Sequence, residues 1–146
     1  MEELDEITGA IVDASIRIHR GLGPGLLESV YETVLVRSLE RSGLVVARQQ
    51  LVPFEFDGMV FKEGLRVDLI VERRVVVEIK ALEKLAPVHT RQVLTYLRLA
   101  NLPIGLLINF GEIMLKDGLH RLVNNLRGSA SPLLRVNHVR SSDVEE

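Results

Sequence analysis

The sequence predicts a single α/β domain, a mixed β-sheet flanked by helices. Three observations carry that expectation. Helical periodicity and β-branched strand character alternate along the chain in the order helix, helix, antiparallel strands, helix, strand, hairpin. Two apolar runs, Arg66–Val71 and Val75–Lys80, flank a polar three-residue gap, Glu72-Arg73-Arg74, and read as a β-hairpin. A length of 146 residues suits one domain with its own core.

The elements follow in order. Ile7, Ala10, Ile11, Ala14 and Ile18 recur at helical spacing and predict an amphipathic helix over residues 5–19. Gly21-Leu22-Gly23-Pro24-Gly25 breaks it. That stretch follows a helix and lacks a Lys-Ser/Thr ending, so it reads as a turn rather than a phosphate loop. Leu27, Val30, Tyr31, Val34, Leu35 and Leu39 define a second helix over 26–42, ended by Gly43. Leu44 to Phe56 predicts one long strand or two short ones around Pro53. Asp57-Gly58 is a hairpin signal leading through Met59–Phe61 to the next strand. Pro87 precedes a helix over 88–101, with Val93, Leu94 and Leu97 as its apolar stripe, and Leu102–Phe110 reads as a buried strand. Asp117-Gly118 predicts a hairpin joining 112–116 to 119–123. Residues 1–127 make the domain; residues 128–146 form a polar tail, expected to be weakly ordered or used in assembly.

Composition narrows the chemistry. There are no cysteines, which excludes disulfides, iron–sulfur clusters and zinc–thiolate sites. The acidic start lacks the basic and apolar regions of a signal peptide, and no apolar run approaches membrane-spanning length. A soluble, cytoplasmic protein with no membrane partner is expected. The formal net charge is −2, but eight of the acids sit in residues 2–13 and 143–146. Residues 14–142 carry 12 acids against all 18 basic residues, a formal +6, and 14 of the 18 are Arg. Arg grips phosphate bidentately, so this distribution permits a nucleic-acid partner.

The hairpin concentrates reactive groups. Symmetry about Arg73 puts Asp68 opposite Glu78, and strand alternation puts Lys80 on the same face as Glu78. Val67, Leu69, Val71, Val75, Val77 and Ile79 would then form the core face. Opposed carboxylates destabilise a sheet, and a divalent cation between them would remove that penalty. The bland alternative is a solvated face on which Asp68–Lys80 and Arg66–Glu78 neutralise one another diagonally, each pair contributing ~0.2–1 kcal/mol.

Asp68, followed ten residues later by Glu78-Ile79-Lys80, resembles the D…(D/E)-x-K core of the PD-(D/E)xK nuclease superfamily. Gly25-Leu26-Leu27-Glu28-Ser29-Val30-Tyr31 resembles the signature of the GxxExxY proteins, a family within it. The likeness continues through Leu85-Ala86-Pro87-Val88-His89, Gln92 with Tyr96, and Gly105–Phe110, and covers roughly residues 5–125. Val67 stands where the superfamily motif has proline.

The resemblance implies a restriction-endonuclease-like core and hydrolysis of nucleic-acid phosphodiester bonds by metal-activated water. Asp68 and Glu78 would ligate Mg²⁺ or Mn²⁺ with the Ile79 backbone carbonyl, hard oxygen donors for a hard cation. Glu28 would complete the site directly or through water. Lys80 would orient the water or offset charge developing on phosphorus. Gln92, Tyr96, Tyr31 and His89 would bind or orient substrate; by their own positions His89 reads first as a hydrogen-bonding helix-start residue, Tyr31 equally as core packing, and Gln92 and Tyr96 equally as structural hydrogen-bonding residues. Two other readings stand beside this one: a non-catalytic homodimeric or higher homo-oligomeric module on a nuclease-like fold, and a site for a small phosphorylated ligand.

Overall fold

A computed structural model describes residues 2–125 of the chain, so the tail expected over 128–146 lies outside the described residues. Helices α1 (Glu2–Leu22) and α2 (Glu28–Arg41) come first. Strands β1 (Val46–Phe56), β2 (Met59–Val71) and β3 (Val75–Lys80) follow, then α3 (Pro87–Ala100), β4 (Ile104–Asn109), a 3₁₀ turn (Leu115–Gly118) and β5 (Leu119–Val123). The five strands form one sheet in chain order, with β3 and β4 parallel and the other neighbours antiparallel. This is the expected mixed sheet, and α3 is the crossover that a parallel pair requires.

Each face of the sheet has its own core. On one side Ile7, Ile11 and Ile18 of α1 and Leu35 and Leu39 of α2 pack on Leu69, Val77, Ile79, Leu106 and Ile108. On the other, Val93 and Leu97 of α3 pack on Val67, Val76, Leu107 and Leu122. Burying a side chain of this size stabilises the fold by roughly 1.5–3 kcal/mol. The continuous burial of β3 and β4 follows from helices covering both faces. Among the described residues no helix is long and apolar enough to cross a membrane.

Two expectations change. First, Val67 is buried, but against α3 rather than with Leu69 and Val71 against α1 and α2. Residues two apart on a regular strand share a face, so β2 reverses its faces at Asp68. Its partner β1 reverses at the same level: Val46 packs on the α1–α2 side and Val52 on the α3 side. Gln49, between them, has φ 46°. Second, 112–116 is not a strand; β5 pairs with β4 instead, from Ile104↔Val123 to Ile108↔Leu119. Asp57 and Gly58 have the positive φ values, 51° and 76°, that a tight hairpin demands, whereas Gly118 is not in the left-handed region. Gly118 serves close packing: a Cβ there would lie 2.6 Å from the Asn109 carbonyl oxygen. Of the two alternatives for 44–56 the single long strand holds, and the register shift of β1 between Val52 and Phe54 falls at Pro53, which has no N–H for the ladder.

Candidate active site

The regular β2–β3 ladder runs through Val71↔Val75, Ile70↔Val76 and Leu69↔Val77, a register centred on Arg73 as expected. The next rung belongs to Asp68 and Glu78, and there side chains replace main-chain partners. The Asp68 N–H donates to Glu78 Oε1 at 2.9 Å, and the Ile79 N–H donates to Asp68 Oδ2 at 2.9 Å. Each carboxylate therefore fixes the backbone that carries the other. Glu78 keeps Oε2 without a hydrogen bond among the described residues. The Ile79 side chain is buried in the α1–α2 core, so its backbone is what it offers the site.

The charges are not cancelled locally. Among the described residues no ion pair involves Asp68, Glu78, Lys80 or Arg66, so the diagonal neutralisation does not form. Nor is this a solvated face, since Glu78 is 4% exposed. Burial and, after it, the Asp68 charge push the Glu78 carboxyl up to about 8, against the opposing effects of the Asp68 N–H and Lys80. Glu28, the first residue of α2, is raised chiefly by partial enclosure of its carboxyl and then by Asp68, with Lys80 opposing. Lys80 thus acts on both glutamates through space.

Local structure explains how Glu28 arrives there. Gly25 takes φ 106°, a conformation that favours glycine. Tyr31 is fully buried and stacks on Phe110 with centroids 4.6 Å apart. Its hydroxyl donates to the Gly23 carbonyl at 2.6 Å and accepts the Leu26 N–H at 3.1 Å. One phenol pins the loop that delivers Glu28. Tyr31 consequently faces inward, so of its two readings core packing fits and substrate contact does not.

On α3, the Ala86 N–H donates to His89 Nδ1 at 2.9 Å, so His89 caps the helix that follows Pro87. The Tyr96 phenol proton is held more tightly by burial first, then by the Glu78 and Asp68 charges, with Gln92 opposing. Tyr96 therefore stands within electrostatic reach of the carboxylate pair, with Gln92 exposed beside it.

Three residues escaped the sequence reading. Glu32 is 7% exposed, one turn beyond Glu28, and pairs with Arg48 at 2.9 Å. Gln49 Nε2 donates to Glu32 Oε1 at 2.7 Å and lies 3.4 Å from Asp68 Oδ1. Asn109, fully buried, accepts the Leu82 N–H and donates to the Leu82 carbonyl, both at 2.9 Å, fastening the segment after Lys80 to β4. The i, i+4 spacing of Glu28 and Glu32 was the available signal for the first. An amide ending an otherwise apolar strand was the signal for the last.

The donor set suits a hard divalent cation. It consists of carboxyl oxygens, one of them buried and in no ion pair among the described residues, and the Asp68 charge raises the affinity of both glutamates for positive charge. Among the described residues no three His, Cys, Asp or Glu side chains stand close enough together to ligate one ion.

No curated protein matches the chain. A solved structure described as "Crystal structure of SSO0001" is 20% identical with a TM-score of 0.49; the match covers 75% of this chain and 56% of that one. Residues 5–122 match the family model of the PD-(D/E)XK nuclease superfamily. With that match spanning most of its length, on a mixed sheet flanked by helices, the chain belongs to the PD-(D/E)XK nuclease superfamily.

Proposed function

We propose that this protein is a metal-dependent nuclease of the GxxExxY type, hydrolysing phosphodiester bonds of DNA or RNA. The observation that carries the proposal is the Asp68–Glu78 pair: two carboxylates locked to each other's backbone, one of them buried, with no ion-pair partner among the described residues. The Gly25, Glu28 and Tyr31 positions support the finer family reading, because each has a physical task in placing the Glu28 carboxyl.

Asp68, Glu78 and the Ile79 carbonyl would hold Mg²⁺ or Mn²⁺, with Glu28 reaching it through water. Bound there, the ion supplies Lewis acidity toward a phosphodiester and acidifies water. The remaining work falls to the chain. Glu78 must give up its proton to act as a ligand, and Lys80 favours that loss. Lys80 then offsets negative charge gathering on the phosphoryl oxygens as the 3′-oxygen leaves. The Gln92 amide and Tyr96 phenol, on the neighbouring helix, orient the phosphate.

The test is cleavage of single- and double-stranded DNA and RNA in Mg²⁺ or Mn²⁺, compared with Asp68→Ala and Lys80→Ala. Cation-dependent cleavage that vanishes in both variants, at unchanged stability, is expected. Cleavage that survives both substitutions overturns the mechanism. A stable homo-oligomer with no turnover on any of the four substrates favours the non-catalytic module.

A further inference from the structure

Gln49 lies on β1 opposite Asp68, between the ladder pairs Arg48↔Leu69 and Gln50↔Val67. It alone among the residues of β1 has a positive φ, 46°. A side chain with a Cβ seldom adopts that backbone, and glutamine is not among the residues that tolerate it best. Glycine would sit there without strain. Strain retained inside a strand beside a candidate site points to a side chain that is needed.

The contacts show what it is needed for. Nε2 donates at 2.7 Å to Glu32 Oε1 and lies 3.4 Å from Asp68 Oδ1, the long end of hydrogen bonding. Both neighbours are acceptor-only carboxylates, so the nitrogen with its two hydrogens must face them. Glu32 is buried and held by Arg48 through Nε at 3.3 Å and Nη2 at 2.9 Å. Arg48 also donates to Thr33 Oγ1 at 3.3 Å. A connected series thus runs from α2 to Asp68, whose other oxygen takes the Ile79 N–H. Two donors from two different strands fix the plane of that carboxylate. The donor from β1 is uncharged, whereas Lys or Arg in its place would pair with Asp68 and compete with a cation. Arg48, the nearby positive charge, is engaged by Glu32 instead.

We infer that Gln49 is a positioning residue: its amide, anchored by the Glu32–Arg48 pair, orients the Asp68 carboxylate for a divalent cation, and the left-handed backbone at position 49 exists to aim it. The inference rests on the reading of Asp68 as a cation ligand, and it deepens that reading by adding the outer support of the ligand. Groups in this role typically change metal affinity by about 10–100-fold when removed.

The decisive variant is Gln49→Gly, which removes the amide and relieves the backbone at once. Its stability to denaturant should equal or exceed that of the wild type, which separates positioning from folding. In the metal-free protein, hydrogen exchange at the Ile79 amide should lose protection relative to Val76 and Leu107. Calorimetric Mn²⁺ affinity should fall by about 10–100-fold. Gln49→Asn is the second variant: it accepts the left-handed backbone, but its amide is too short to reach both carboxylates, so both losses should recur. Unchanged Ile79 protection and unchanged Mn²⁺ affinity in both variants overturn the inference and leave the metal reading intact. A wild-type protein that takes up no Mn²⁺ overturns both.

Discussion

Asp68 and Glu78 each hold the main chain that carries the other: Glu78 Oε1 takes the Asp68 N–H and Asp68 Oδ2 takes the Ile79 N–H, both at 2.9 Å. Two carboxyl groups are thereby kept as neighbours by hydrogen bonds that neither can leave without exposing a backbone amide. The arrangement resists collapse into ordinary strand pairing, and it makes the site's protonation a property of the fold.

That coupling sets a pH dependence. The Glu78 carboxyl stands near 8 in the folded protein and at 4.5 ordinarily, so between those values the folded state binds a proton that the unfolded state has released. Stability contributed by this group is therefore full below pH 4.5 and declines as pH rises towards 8, by at most roughly 1.4 kcal/mol per pH unit. Denaturant titrations in EDTA should show the wild type losing stability across this window, and Glu78→Gln should remove that part of the slope. An equal slope in the variant contradicts the assignment.

Metal binding should run the opposite way. An ion at Asp68 and Glu78 displaces the Glu78 proton, so Mn²⁺ affinity should rise with pH until about 8 and then level. Calorimetry at pH 7 in buffers of different ionisation enthalpy should report proton release. Its absence would mean that Glu78 is not displaced from its protonated form.

Tyr31→Phe should keep the stack on Phe110 but lose both hydrogen bonds to the loop before Glu28. A loss of roughly 1–3 kcal/mol is expected, because the Gly23 carbonyl and Leu26 N–H lose their partner. Cleavage should fall by more than the folded fraction accounts for, since Glu28 is released. Denaturation and kinetics on the same samples separate the two effects.

Asn109→Leu should be costly, because Asn109 is fully buried and hydrogen-bonded. The buried amide serves the Leu82 N–H, the Leu82 carbonyl and, at 3.1 Å, the Gly111 N–H. Leaving such groups without partners costs about 1–3 kcal/mol each. A fall in the denaturation midpoint is expected, with faster amide exchange at Leu82.

Much of this was legible in the sequence. The polar gap at Glu72–Arg74 centred the hairpin on Arg73, and a two-residue period then set Asp68 across from Glu78. What escaped depended on tertiary contact. No local pattern announces that Gln49 takes a left-handed backbone, so the reversal of faces at Asp68, and with it the placement of Val67 against α3, could not be read. Gly118 looked like a turn glycine because Asp-Gly usually is one; its task, close approach to the Asn109 carbonyl, exists only once β4 is in place. Tyr31 carried a motif position, and only the assembled loop shows that its hydroxyl faces Gly23 and Leu26 rather than a substrate.

The most direct test is calorimetric titration of Mn²⁺ into the wild-type protein and Asp68→Ala at pH 8. The account predicts saturable binding in the wild type that is lost in the variant at unchanged stability. Absence of binding to the wild type at millimolar Mn²⁺, or equal binding by the two proteins, contradicts it.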